Sequence, residues 1–228
     1  MPSRPDYPLG VPSKFDANGN VQPFPGNTII AHLPHNSELF GSLLQLHGRL
    51  AASPLAPLIA LLPPESWHMT LFVGVCDTVR DVPGHWPQDI PTDAPLEQCT
   101  QHLARKLSEF ELGEDAPPYR LTVDGFSSFD VGILVRLRPR TPEEGTRLRR
   151  LRDRLSDTTG LRMPNHDCYE LHLSMAYFLR HLDGGQRAIL GRLLEDHMSG
   201  MPREFELGGP EFCTFEDMFS FGRLFYLG

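Results

Sequence analysis

At 228 residues and 25.7 kDa the chain has room for one large domain or two closely packed lobes. Its 40% hydrophobic and 22% charged content is that of an ordinary globular protein, and a formal net charge of −8 argues against wholesale binding to long nucleic acid, which relies on many phosphate contacts. No apolar run approaches the roughly 18–20 residues that span a bilayer, and the opening Met-Pro-Ser-Arg-Pro-Asp-Tyr-Pro lacks the apolar core of a secretion signal, so a cytoplasmic location without membrane contact is expected.

Residues 1–27 are rich in Pro, Gly, Asp and Asn and read as an irregular N-terminal arm, with Phe15, Val21 and Phe24 as apolar anchors that would pack it over a cleft. Within it, Lys14 to Asn20 carries the Asx and glycine signals of a tight turn. Residues 28–33 (TIIAHL) then predict a strand closed by Pro34. Asn36 or Ser37 can cap a helix running to about Ala52, with Leu39, Leu43, Leu46 and Leu50 at helical spacing. Residues 58–62 (LIALL) predict a second strand and 67–75 a third. A Pro/Asp/Gly-rich excursion over 77–94 has Trp86 as its anchor. A helix follows at 95–112, with a stripe of Leu96, Cys99, Leu103, Leu107 and Phe110, and then a strand at 119–126.

The second half repeats the theme. Residues 132–138 alternate as a strand, and Thr141-Pro142-Glu143-Glu144 is a helix start: an N-cap, a proline in the first turn, and acids near the positive end of the dipole. That helix runs to about Asp157 and stops at Gly160. A strand over 169–179 follows, then a helix capped by Asp183 and ended near Gly200, then two closing strands at 203–213 and 218–227. Strands outnumber what a parallel βαβ series needs, so the expectation is an α+β fold: two antiparallel sheets flanking a central cleft, helices outside, with roughly equivalent halves. Residues 28–228 form one such domain after the arm. The cysteines Cys76, Cys99, Cys168 and Cys213 show neither a CxxC pair nor metal-ligand spacing and read as reduced thiols.

Two of the strands share a pattern. Trp67-His68-Met69-Thr70-Leu71 and Leu171-His172-Leu173-Ser174-Met175 each present a histidine and a hydroxyl on one face and apolar residues on the other. Either alone is a frequent chance pattern; the pair, with the same parity and one in each half, is specific. Histidine has an unperturbed pKa of about 6.5, so two imidazoles facing one bound group can act as base and acid. A neighbouring hydroxyl can donate to an anionic oxygen. That kit suits phosphodiester chemistry.

On these two motifs the chain resembles the two-histidine (2H) phosphoesterase superfamily, marked by one His-x-Thr/Ser-x motif in each lobe of a bilobal fold. Ile29-Ile30-Ala31-His32-Leu33-Pro34 and the leucine-striped helix after it are similar to the start of that family, and the resemblance covers residues 28–228. The arm, with Lys14-Phe15-Asp16 and Pro25-Gly26-Asn27, departs from compact RNA-ligase-like members and resembles an uncharacterised branch. The resemblance implies hydrolysis or transfer at a cyclic phosphate, on an RNA end, a nucleotide or ADP-ribose. It implies His68 and His172 as the acid–base pair, without assigning which is which, and Thr70 and Ser174 as phosphate-oxygen donors. A monomer acting without metal or other cofactor on a small nucleotide or RNA end is the corresponding expectation. The alternative is a non-catalytic nucleotide- or RNA-end-binding module; a metallohydrolase fits poorly, because two histidines without clustered carboxylates make a weak metal set.

Secondary candidates for substrate binding are His32 and Thr28, which share a strand face, Arg136 at 135–137, and Lys14 if the arm folds over the cleft. Tyr177 falls on the helix-facing side by regular strand parity, and only a bulge would turn it. His35, His47, His102, His181 and His197 fall in loops or helices and read as solvated or packing residues. The run Arg147, Arg149, Arg150, Arg152 and Arg154 reads as a solvated helix side.

Overall fold

The computed structural model describes residues 5–127 and 131–228, so the first four residues of the arm lie outside the described part. In chain order the main elements begin with β1 (Gly26–His32), α1 (Glu38–Ala51), β2 (Ile59–Leu61), β3 (His68–Cys76) and α2 (Leu96–Ser108). Then follow β4 (Tyr119–Phe126), β5 (Gly132–Pro139), α3 (Pro142–Thr159), β6 (His172–Phe178), α4 (Gly184–Met198), β7 (Glu204–Leu207), β8 (Glu211–Phe215) and β9 (Gly222–Tyr226).

The helix ends follow from local chemistry. The Ser37 hydroxyl accepts from the Phe40 amide at the start of α1, and the Thr141 hydroxyl accepts from the Glu144 amide at the start of α3. Asp183 and Gln186 form a reciprocal capping box on α4. Gly160 ends α3 in the left-handed conformation, φ 73°. The predicted helix at 95–112 stops at Ser108: the Phe110 amide turns back to the Leu107 carbonyl, and Phe110 and Leu112 bury themselves beyond the helix.

The strands form one antiparallel sheet in the order β7-β4-β5-β6-β3-β1-β8-β9, with β2 also paired to β6. This corrects the expectation of two sheets. The two histidine strands, β3 and β6, are the inner edges of two four-stranded groups, and they join through the pair Met69–Leu173. Facing edges that carry unpaired backbone groups gain by pairing with each other. The predicted strand at 203–213 is also corrected. Gly208-Gly209-Pro210 splits it, so that β7 pairs with β4 at one end of the sheet while β8 pairs with β1 in the other group.

That split has a geometric consequence. Leu207 and Glu211 are joined by four peptide units, which reach about 14 Å at most, whereas a flat sheet would separate β7 from β8 by six inter-strand spacings, about 29 Å. The sheet therefore curls. One apolar core fills the helix side and draws on Leu39, Leu43 and Leu46 of α1, Leu103 of α2, Leu151 and Leu155 of α3, and Met69, Leu71, Leu173 and Met175 of the histidine strands. α3 packs on β3 and β5, and the buried Arg152 guanidinium donates to the Leu71 carbonyl. Among the described residues no helix is long and apolar enough to cross a membrane.

The described part of the arm is ordered by its own bonds. Asp16 accepts from the Asn18 and Asn20 amides and the Asn20 side chain, Phe15 bridges to Val21, and the Phe15 ring is fully buried in the core. Gly10, at φ 109°, lets the chain lie flat on the Tyr177 ring, where a Cβ would meet ring carbon at 3.1 Å. Trp86 anchors the 77–94 excursion: its Nε1–H donates to the Ile90 and Pro91 carbonyls, and the Arg80 guanidinium lies over its ring.

Candidate active site

Antiparallel pairing at Met69–Leu173 places His68 opposite Ser174 and Thr70 opposite His172. The four side chains thus share the face opposite the core, with each histidine across the seam from the other strand's hydroxyl. Their core-facing neighbours Met69, Leu71, Leu173 and Met175 are fully buried and fix that orientation.

Both imidazoles are held by the same local bond. The His68 Nδ1–H donates to the Ser66 carbonyl at 2.6 Å, and the His172 Nδ1–H donates to the Glu170 carbonyl at 2.8 Å. Each ring therefore keeps Nε2 for a ligand. The His68 ring packs edge-on against Phe221 at 4.3 Å between centroids. Burial pushes its pKa down to about 4, and the charges of His32 and His172 push the same way, against the Ser66 bond. His68 is thus neutral at pH 7.

All four residues line one cavity of about 630 Å³, a size suited to a small organic ligand. Its walls also include Lys14, Phe24, Thr28, His85, Tyr169, Tyr177, Phe215, Met218 and Phe221. No described lining residue is an aspartate or glutamate. The cavity combines apolar walls with three imidazoles, one ammonium and several hydroxyls, a donor set that suits an anion.

The secondary candidates divide. Lys14 and Thr28 line the cavity, but the Thr28 hydroxyl is spent on the Phe72 carbonyl at 3.2 Å. His32 lies opposite His68 in the β1–β3 register, with ring centroids 6.0 Å apart, yet it is not a cavity wall. Its Nδ1–H donates to the buried Glu211 carboxylate at 3.0 Å, which also accepts from the His32 amide and from Arg223. These bonds hold the Glu211 carboxyl below its usual range against the opposing effect of burial. Arg136 stands opposite His172 in the β5–β6 register but turns away from the cavity to Asp124, 3.2 Å from its carbonyl and 3.7 Å from its carboxylate.

Tyr177 is a correction. Ile133 pairs with Ala176 but Leu134 with Ser174, so Met175 is an extra residue on β6. This bulge shifts the parity and brings Tyr177 onto the Ser174 face, where it lines the cavity. Gly132 permits the close approach, since a Cβ there would fall on the Ala176 carbonyl. Sequence reasoning also missed Tyr169 and His85. Tyr169 precedes the second motif and lies 5.9 Å from the His172 ring, under the Arg152 guanidinium. Burial raises its phenol pKa, with Thr70 and Arg152 opposing. His85 sits in the excursion beside Trp86, where no periodicity marked it. Of the helix arginines, Arg152 is buried rather than solvated, while Arg150 and Arg154 clamp the buried Asp115.

Among the described residues, one group brings three possible metal-ligand atoms within 4.8 Å of one another: Asp153, His166 and Asp167. It is not part of the cavity wall, and Arg162 pairs with both of its carboxylates.

A family model described as "2H-phosphodiest: Domain of unknown function (DUF1868)" matches residues 14–131, just over half of the chain and inclusive of His68 but not His172. No curated protein matches the sequence. The crystal structure of a conserved protein of unknown function from Agrobacterium tumefaciens superimposes with a TM-score of 0.88 at 29% identity, covering 98% of this chain and 94% of that one. A structure from Thermus thermophilus gives a TM-score of 0.48 at 12% identity, over 88% of this chain and 96% of that one.

Proposed function

Starting from the premise that the chain belongs to the 2H-phosphodiesterase family of unknown function, we propose that it is a metal-independent phosphodiesterase that opens a cyclic phosphate by paired-histidine acid–base catalysis. The family match supports a 2H-phosphoesterase-like hydrolytic role in general. The observation that carries the finer reading is the arrangement of His68, Thr70, His172 and Ser174 on one face of a cavity with no described carboxylate.

In this reading the phosphate lies over the β3–β6 seam. Thr70 and Ser174 donate hydrogen bonds to its non-bridging oxygens and offset the charge that builds there during attack. His68, neutral at pH 7, takes a proton from water through Nε2 as the water oxygen bonds to phosphorus. An anion in the cavity raises the His68 pKa towards neutrality and makes it a better base. His172 gives a proton to the departing sugar oxygen as the P–O bond breaks. The product is a phosphomonoester with a free hydroxyl, and a proton returned through solvent resets the pair. The carbonyls of Ser66 and Glu170 keep both Nε2 atoms directed at the substrate.

The substrate class is a small nucleotide or RNA end bearing a 2′,3′-cyclic phosphate, or a cyclic phosphate of ADP-ribose. A panel of these three, with product regiochemistry read by phosphorus NMR, tests the proposal. Hydrolysis of at least one, with one regioisomer formed, is expected. Binding of a 2′-phosphonucleotide without turnover of any of them would favour a binding module on the same fold.

A further inference from the structure

The cavity holds a cation that the acid–base scheme does not use. Lys14 is half-buried in its wall, with the Nζ group 3.0 Å from the Tyr177 hydroxyl, to which it donates, and 5.0 and 4.9 Å from the ring centroids of Phe24 and Tyr177. Among the described residues no carboxylate lies within 4.0 Å of this ammonium, and Tyr177 is its one hydrogen-bond acceptor. Two of its three N–H donors are therefore free for a ligand. The side chain is also pre-positioned. The Lys14 amide donates to the Gly10 carbonyl and its carbonyl accepts from the Gln22 amide, both at 2.8 Å, while the next residue, Phe15, is locked in the core. The Tyr177 hydroxyl in turn donates to the Met218 sulfur at 3.8 Å, leaving its lone pair for the lysine.

Position separates this cation from the histidine pair. The hydroxyl row stands on β6 at Ser174, and the lysine's partner Tyr177 is three residues further on, about 10 Å between backbone positions at strand rise and somewhat less across the bulge. With the reacting phosphate held by Thr70 and Ser174, the Lys14 ammonium is left for another anionic group of the substrate. We propose that Lys14 binds a second phosphate of the substrate, so that the preferred substrate is a small cyclic phosphodiester carrying a further phosphate, as a phosphomonoester or within a pyrophosphate. This deepens the proposed function and rests on it. The arm residue acts as a specificity determinant: it reads charge beside Tyr177, further along β6 than the hydroxyl that holds the reacting phosphate.

The test compares adenosine 2′,3′-cyclic phosphate with its 5′-phosphorylated form, and both with ADP-ribose 1″,2″-cyclic phosphate, in wild-type protein and in Lys14→Gln and Lys14→Arg. The readout is the ratio of kcat/KM between substrates with and without the second phosphate, in which a general loss of activity cancels. A hydrogen-bonded charge pair predicts a wild-type preference of at least about tenfold, collapse of the ratio towards unity in Lys14→Gln and its recovery in Lys14→Arg. Preference for the 5′-phosphate or for the ADP-ribose compound tells a monoester from a pyrophosphate. A wild-type ratio near unity overturns the proposal without any variant, and a preference retained in Lys14→Gln removes it from Lys14. If wild type hydrolyses none of the three, the phosphodiesterase reading falls, and calorimetric binding of adenosine 2′-phosphate against adenosine 2′,5′-bisphosphate then decides the second-phosphate site by the same ratio.

Discussion

His68 and His172 are held by equivalent bonds on adjacent strands, Nδ1–H to a carbonyl two residues upstream in each, at 2.6 and 2.8 Å. The bond fixes the tautomer and leaves Nε2 as the working atom. Replacing either histidine by glutamine removes a proton relay while keeping much of the side-chain volume. Each single variant should lose about 10²- to 10⁴-fold in kcat, and the double variant should lose far less than the product of the two because they act as a unit. Circular dichroism melts alongside the kinetics show whether the fold is kept.

The hydroxyls act differently. Thr70→Ala and Ser174→Ala each delete one donor to the phosphate oxygens and should lower kcat by about 10²-fold with a smaller change in KM. Steady-state kinetics on the best panel substrate check this. A loss confined to KM would reassign both hydroxyls to ground-state binding.

The depressed His68 pKa has a consequence for stability. The folded protein protonates this ring only near pH 4, whereas the unfolded chain does so at the ordinary 6.5. Between those values the unfolded state binds more protons, so this contribution to stability is full above pH 6.5 and is lost as pH falls towards 4. His68→Gln removes that dependence. Urea midpoints at pH 7 and pH 5 should fall more on acidification in wild type than in the variant, and equal falls would contradict a buried neutral imidazole.

The bulge at Met175 depends on close approach of β5. Gly132→Ala pushes a methyl onto the Ala176 carbonyl and should destabilise the fold by about 1–3 kcal/mol, the range for overpacking. Urea unfolding measures it. The preference for a substrate with a second phosphate should fall as well, because the bulge is what turns Tyr177, the partner of Lys14, into the cavity.

Much of this was legible in the chain. The parity of His68 with Thr70 and of His172 with Ser174 survives because both strands are regular there, with buried Met69 and Leu173 opposite. Helix starts at Ser37, Thr141 and Asp183 were readable because capping is local chemistry. Tyr177 was not, since a bulge is set by the partner strand and shifts parity without a mark of its own. Nor was the split of 203–213: Gly208-Gly209-Pro210 signals a break, but only tertiary pairing sends β7 and β8 to different groups of the sheet. The junction of β3 with β6 likewise depends on two edges meeting in space, which no periodicity records.

The most direct test of the central claim is single-turnover hydrolysis of a 2′,3′-cyclic nucleotide in the presence of chelator, by wild type and by the His68→Gln/His172→Gln double variant. The paired-imidazole account predicts wild-type hydrolysis that chelator does not slow and a double variant slowed by at least about 10²-fold. Turnover by the double variant within about tenfold of wild type, a gap too small for the loss of general acid–base catalysis, would contradict it, as would a wild-type rate restored only by added divalent metal.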